Sequence, residues 1–259
     1  MRLRIAIGQG GGWGASRALV HIALGVLLAA TLAPAQQIVT TTFAGKRYVI
    51  CRVDLTQDHL DLFWRDSHKR PFQTFDAVNQ WLRPQKRQLL FAMNAGMYRE
   101  DCSPVGLYVE HGKQLRPLNL ASGKNNFCLK PNGVFALTRS GARLIESSRY
   151  PAISPSVTLA TQSGPMLVID GKLHPAFRRS STSRLIRNGV GVVSPRKIVF
   201  ALAEDPVNFH EFAVLFRDGL SCKNALYLDG SISSLYAPKL RRNDAWVPLG
   251  PIIGVTGRR

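Results

Sequence analysis

An α+β fold, a single domain of many short strands in twisted mixed sheets with a few packed helices, is predicted by three features of the sequence. Turn signals recur every eight to twelve residues or so, a spacing typical of short strands. The apolar runs between them are brief and rich in Val, Ile, Phe and Tyr. Two segments carry helical periodicity with a capping residue in front.

Taken in order, Lys46–Leu55 reads as a strand that alternates Tyr48 and Ile50 against Val49, Cys51 and Val53. Thr74 is placed to cap a helix running to Leu82, with Phe75, Val78 and Leu82 on one stripe and Pro84 as its stop. Gln88–Met93 is a short strand ending at Asn94-Ala95-Gly96. His111-Gly112 joins Val105–Glu110 to Lys113–Leu118 as a hairpin. Phe127–Leu129, Gly133–Leu137 and Arg143–Glu146 read as further strands, the last two joined across Ser140-Gly141. Asp170-Gly171 turns Met166–Ile169 back into Lys172–His174. Ile198–Ala203 is a buried strand. Asn208 and Glu211 then open a helix whose Phe209, Phe212, Ala213 and Phe216 share a face before Gly219. Ala225–Leu228 delivers Asp229-Gly230-Ser231 at its C-terminal end.

The 259 residues are 45% hydrophobic and 19% charged, which excludes a disordered or collagen-like chain and allows a substantial core. Arg2, Arg4 and Arg17 precede an apolar run from Ala18 to Ala33, closed by Ala33-Pro34-Ala35, the pattern of a secretory signal peptide over residues 1–35. The run is too short and loosely bounded for a membrane span, so no membrane association is expected after cleavage. The remaining domain, residues 36–259, is expected to be exported, periplasmic or secreted. The whole chain carries a formal charge of +18; the leader holds three of the arginines and no acid, which leaves +15 on the domain. Such an excess, mostly arginine, suits acidic or phosphorylated partners. Nucleic acid is disfavoured by export and by the lack of basic-aromatic interleaving.

Cys51, Cys102, Cys128 and Cys222 form no CxxC pair, and no histidines sit at metal-ligand spacing, so no metal or other cofactor is expected. In an oxidising compartment four cysteines allow three pairings. The loop-like positions of Cys102 and Cys128 favour that pair, with Cys222 as a buried thiol.

Four strand-end loops combine polar groups with glycine or proline: Asn94-Ala95-Gly96, Ser163-Gly164-Pro165, Arg187-Asn188-Gly189-Val190-Gly191 and Asp229-Gly230-Ser231-Ile232-Ser233. Any one is a common turn; four at the ends of rigid strands mark a site. Asp229 is placed to act as base or nucleophile, Arg187 to hold a phosphate, and Asn94 to orient a substrate oxygen or water. Glu204 offers a second carboxylate. Ser163, Gly164, Asn132, Asn188, Gly230 and Ser233 complete the expected substrate contacts. No GxSxG elbow supports a serine hydrolase built on Ser163 or Ser233.

These motifs resemble the phosphodiester glycosidase family. The likeness is carried by Phe91-Ala92-Met93-Asn94-Ala95-Gly96-Met97-Tyr98, Ser103-Pro104-Val105-Gly106-Leu107-Tyr108, Leu129-Lys130-Pro131-Asn132-Gly133-Val134-Phe135 and Ala160-Thr161-Gln162-Ser163-Gly164-Pro165. It continues through Arg187–Gly191 to Asn224–Gly230, roughly Tyr48 to Tyr236 in all, and is nearest the short exported bacterial branch. Two departures bear on substrate identity. Asp229-Gly230-Ser231-Ile232-Ser233 has fewer glycines than the family's Asp-Gly-Gly-Gly-Ser, and Asn188 replaces the hydroxyl of an Arg-Thr-x-x-Gly motif.

The resemblance implies cleavage of a sugar from a sugar-1-phosphodiester, small or part of an envelope glycan. Breaking the anomeric carbon–oxygen bond releases a phosphate monoester, an acidic leaving group that needs charge stabilisation more than protonation. Arginine suits that need, and a carboxylate activates water or attacks the anomeric carbon. The alternative expectation is a non-catalytic binding module for anionic cell-envelope glycans, using the same arginines.

Overall fold

The computed structural model describes residues 37–229, 232–244 and 246–259. The signal peptide expected over residues 1–35 lies outside them, as do Gln36, Gly230, Ser231 and Ala245. Strands β1 (Gln37–Phe43), β2 (Lys46–Asp54) and β3 (His59–Phe63) come first, then helix α1 (Phe75–Leu82) and β4 (Arg87–Asn94). Next are β5 (Tyr108–Glu110), β6 (Lys113–Arg116), β7 (Gly133–Thr138), β8 (Gly141–Glu146), β9 (Val157–Ser163), β10 (Met166–Ile169) and β11 (Lys172–Leu173). The chain continues through β12 (Asn188–Ser194), β13 (Lys197–Ala203), α2 (Phe209–Val214), β14 (Asn224–Asp229), β15 (Leu235–Ala237), β16 (Arg242–Asn243) and β17 (Ile252–Arg258).

These strands form a seven-stranded sheet, β1-β2-β13-β12-β14-β10-β11, and two five-stranded sheets, β16-β15-β4-β17-β3 and β6-β5-β9-β7-β8. Every ladder between named strands is antiparallel, so the sheets are not mixed as expected. The physical reason is visible in the connections: several neighbours are joined by two-residue turns, which only antiparallel strands can use. His111 and Gly112 take φ of 49° and 74° between β5 and β6, and Asp170 and Gly171 take 46° and 81° between β10 and β11.

A central core fills the space that all three sheets face, with Val49, Cys51, Phe91, Met93, Phe135, Phe200, Leu226 and Ile253 among its members. Each outer face has its own cover. Helix α2 and the π-helical turn Leu215–Gly219 pack Phe212 and Phe216 on the seven-stranded sheet. Helix α1 packs Phe75, Val78 and Leu82 against Leu89 and Ile252. Tyr150 and Val157 cap the third sheet. Thr74 caps α1 by accepting from the Ala77 amide, and Asn208 with Glu211 forms the expected capping box on α2. Phe127–Leu129 is not a strand: Asn125 caps a 3-10 turn over Asn126–Cys128, its side chain accepting from the Cys128 amide. A capping Asn thus outweighs the apolar pair Phe127 and Leu129.

The favoured Cys102–Cys128 bridge is also absent; all four cysteines are thiols. Cys102 Sγ lies 3.6 Å from Gln73 Nε2, whereas Cys128 Sγ sits against Gly123, so the two occupy separate surroundings. Cys51 faces the central core and Cys222 the layer under α2, on opposite sides of one sheet. Burial pushes the Cys222 thiol up to about 12, and the Cys51 thiol higher still. Because the thiolate is the nucleophile, both stay unreactive at mildly alkaline pH. Iodoacetamide at pH 8 is expected to label half-buried Cys128 in the native protein and to reach Cys51 and Cys222 only after unfolding, as read by peptide mass mapping.

Candidate functional site

Strands β4, β9 and β14 finish at one end of the three-sheet core, and β12 starts there. Asn94, Ser163, Asp229 and Asn188 are their terminal residues, and the ladder pairs Asn188 with Asp229. Two buried asparagines tie this end together. Asn188 Nδ2 lies 3.0 Å from both the backbone oxygen and the Oδ1 of Asn94, while Asn188 Oδ1 accepts from the Asp229 amide at 2.8 Å. Asn94 Nδ2 donates to the Ile232 carbonyl at 2.6 Å, and its Oδ1 accepts from the Ser234 amide at 2.9 Å. The pair therefore fixes Asp229 from one side and the chain just beyond it from the other.

The remaining predicted residues form the frame of this end. Ser163 Oγ donates to the Leu228 carbonyl at 2.7 Å, holding β9 to the strand that carries Asp229. Ser233 Oγ lies 3.1 Å from the Ile186 carbonyl and 3.2 Å from that of Asp229. Asn132 donates to the Phe127 carbonyl at 2.8 Å. Gly164 packs so tightly on it that a Cβ there would stand 2.6 Å from the Asn132 Cβ, which no side chain could accept. Gly230 falls outside the described residues. Glu204 is engaged elsewhere: it accepts from Arg242 Nη1 at 3.0 Å, and the same guanidinium holds Asp244.

Arg187 is brought to the same end, in a setting the sequence did not suggest. Its side chain is 0% exposed. Nε donates to the Val207 carbonyl at 2.9 Å, Nη2 to the Ser183 carbonyl at 3.1 Å and Nη1 to the Tyr227 hydroxyl at 3.3 Å. Phe209 lies under the guanidinium at 3.9 Å and stacks in turn on Phe177 at 5.0 Å, which stacks on His174 at 4.7 Å. Burial pulls the Arg187 guanidinium below its ordinary value, against the Tyr227 contact that raises it. It remains a cation at neutral pH.

Two tyrosines report where the Asp229 carboxylate acts. Burial first, then the charge of Asp229, push the Tyr98 phenol well above the usual tyrosine range. Burial does the same to Tyr227, where Arg187 opposes the rise and Asp229 adds to it. Tyr227 is thus a neutral hydroxyl in contact with a buried cation and within the field of the acid. Tyr98 donates to the Pro248 carbonyl at 3.0 Å, which anchors the loop bearing Trp246, 85% exposed. Sequence reasoning passed over Tyr98, Tyr227 and Trp246. The two tyrosines lie inside the quoted motifs, and their signal was proximity to Asn94 and Asp229 along the chain. Among the described residues no set of three or more His, Cys, Asp or Glu is arranged to hold a metal ion, and no helix is long and apolar enough to cross a membrane.

Comparison with known proteins gives the class of protein to which this fold belongs, that of glycosidase-type hydrolases. A family model described as phosphodiester glycosidase matches residues 87–256, and the chain belongs to that family. It is 35% identical over 179 residues to the uncharacterized protein YigE of Escherichia coli strain K12, covering 69% of this chain and 70% of YigE. Among solved structures it is similar to the catalytic domain of zebrafish N-acetylglucosamine-1-phosphodiester alpha-N-acetylglucosaminidase, auto-inhibited by its pro-peptide. That match has a TM-score of 0.62 at 12% identity, over 88% of this chain and 85% of that one. A hypothetical protein from Synechocystis matches with a TM-score of 0.53 at 14% identity, over 86% of this chain and 62% of that one. At these identities the structural matches establish the fold.

Removing the Asn188 side chain takes the acceptor from the Asp229 amide and the Nδ2 donor from both Asn94 oxygens, of which Oδ1 keeps the Ser234 amide. Asn188→Ala is expected to cost about 3 kcal/mol, more than one ordinary hydrogen bond, because buried groups are left unpaired. Urea denaturation followed by far-ultraviolet circular dichroism measures this; a loss under about 1 kcal/mol would mean that the bridge does not hold this end together.

Proposed function

We propose that this chain is an exported hydrolase that cleaves a sugar from a sugar-1-phosphodiester. The observation that carries the reading is the buried Asn94–Asn188 bridge, which fixes the backbone of a carboxylate at the meeting point of two sheets. Family membership supplies the reaction class, and the signal-like leader supplies export.

In this reading Asp229 attacks the anomeric carbon or activates the water that does so, and the phosphate monoester leaves with the bonding electron pair. Asn94, Asn188 and Ser163 position Asp229 through the backbone. Arg187, enclosed by Val207, Ser183, Tyr227 and Phe209, contributes a fixed positive charge behind Tyr227 rather than a solvent-facing fork. In a water-poor interior such a charge acts on developing negative charge more strongly than a solvated one. Tyr98 and the loop it anchors form the outer wall, and exposed Trp246 offers a flat apolar face for a sugar ring.

The test uses purified protein lacking the leader and a sugar-1-phosphodiester with a chromogenic aglycone. Asp229→Asn is expected to lower kcat by about 100- to 10,000-fold, with the melting temperature nearly unchanged. Arg187→Ala is expected to lower both kcat and stability. Turnover by Asp229→Asn equal to wild type would overturn the assignment. Retained affinity for anionic glycans without any cleavage by wild type would instead favour the binding-module reading. Trp246→Ala is expected to raise KM about tenfold at unchanged kcat, equivalent to roughly 1.4 kcal/mol of binding, and Trp246→Phe to restore most of it.

A further inference from the structure

The strands that carry the site have their other ends at the opposite pole, and there the charge distribution is different. Arg87 starts β4 and pairs with Arg258 at the end of β17; His59 starts β3 beside Thr256. A cleft of about 640 Å³ opens at this corner, lined by His59, Lys86, Arg87, Arg258 and Arg259 together with neutral residues and no acid. It shares Arg87 and Arg259 with a flank cleft of about 360 Å³ that adds Arg83. It shares His59 with a third, of about 420 Å³, that adds Arg139 and Arg196. The three clefts adjoin through these shared residues, and the groove they make together is lined by seven Lys and Arg residues against four carboxylates, Asp58, Asp61, Asp76 and Glu110.

Each of these four carboxylates has a partner within the protein, and one of them, Asp61, is paired with a groove arginine. Asp61 is held by Arg87 at 2.6 Å and by the Thr256 hydroxyl at 2.8 Å, with His59 3.2 Å away. Glu110 accepts from the Tyr108 hydroxyl at 2.8 Å, Asp58 from the Asp54 amide at 2.8 Å, and Asp76 from Asn243 at 3.1 Å. By contrast, among the described residues no carboxylate pairs with Arg83, Lys86, Arg258 or Arg259, all of them exposed. Arg87 is compensated by Asp61, but the cations outnumber the carboxylates, and Arg83, Lys86, Arg258 and Arg259 leave a net positive charge at this corner. That arrangement is complementary to a chain of negative charges. Guanidinium forks suit phosphate oxygens, and the length of the groove suits an extended chain over a single ion.

We propose that this groove is an exosite for a linear polyanion bearing repeated phosphate groups, the chemistry of a phosphate-rich glycan. It lies at the other ends of the strands from Asp229, so it holds the polymer without taking part in bond cleavage. The assignment is read by binding and does not depend on the hydrolase reading.

Fluorescence anisotropy of labelled inorganic polyphosphate on the leaderless protein tests it, across a salt series. Lys86→Glu/Arg258→Glu is expected to weaken binding about tenfold or more at low salt and to flatten the salt dependence, since fewer counterions are displaced. The comparator Arg143→Glu/Arg149→Glu makes the same charge change on exposed residues at the third sheet and is expected to weaken binding less than about twofold. Hydrolysis of a small sugar-1-phosphodiester, where present, is expected to be unchanged in both. Both residue pairs are exposed, so folding is retained; Lys86→Gln/Arg258→Gln repeats the test with a milder change. Equal weakening by both pairs would show a diffuse charge effect, no weakening by either would remove the groove from binding, and preference for phosphatidylglycerol vesicles over polyphosphate would make it a membrane surface. Each of these results overturns the proposal.

Discussion

The bridge between Asn94 and Asn188 is the constraint on which the rest of the site depends. Asn94 ends β4 in one sheet and Asn188 begins β12 in another, and their side chains meet with both amides buried. No solvent competes for these groups, so each bond is strong and each missing partner costly. The two side chains together satisfy the Asp229 amide, the Ser234 amide and the Ile232 carbonyl. The bridge thus holds the acid by its own amide and holds Ile232 and Ser234, where the described chain resumes beyond it.

That clamp explains why the neighbouring sequence tolerates so little bulk. Gly96 packs where a Cβ would stand 2.3 Å from the Gln162 carbonyl and 2.7 Å from the Thr161 hydroxyl, which itself accepts from the Gly96 amide. Gly189 and Gly191 lie beneath Phe212 and Phe216, where added carbon would collide with the α2 layer or with Cys222. The glycines of the motifs thus serve close approach between sheet and cover. The polar residues beside them spend most of their hydrogen bonds on backbone.

Much of the fold could be read from the letters because it rests on local chemistry. Thr74 and Asn208 announced their helices through side-chain caps, and His111-Gly112 and Asp170-Gly171 announced hairpins through their left-handed turns. What escaped is non-local. Strand β1 is largely exposed and lacks an apolar face, β3 is apolar on too short a run, and β17 gains its meaning only between β3 and β4. At the site, Asn94, Ser163 and Asp229 end strands as the sequence suggested. Residues 188–191 open β12 instead of forming a loop after a strand, because their glycines let them pair closely with β13 and β14 under α2. The aromatic stack under Arg187 was not legible, because His174, Phe177 and Phe209 are separated in sequence and joined only by folding.

The burial of Arg187 carries the most weight for how the chemistry should be understood. A solvated arginine reaches out to an anion and pays for ordering its side chain; this one is already held by three hydrogen bonds and an aromatic face. Its charge is therefore preorganised and poorly screened, and the Tyr227 hydroxyl it touches is held neutral by burial. Arg83, Lys86, Arg258 and Arg259 at the opposite pole have the reverse setting, exposed to water and screened by salt. One fold thus holds arginine in two settings, a buried cation fixed by three hydrogen bonds and an aromatic face, and solvated cations at the opposite pole.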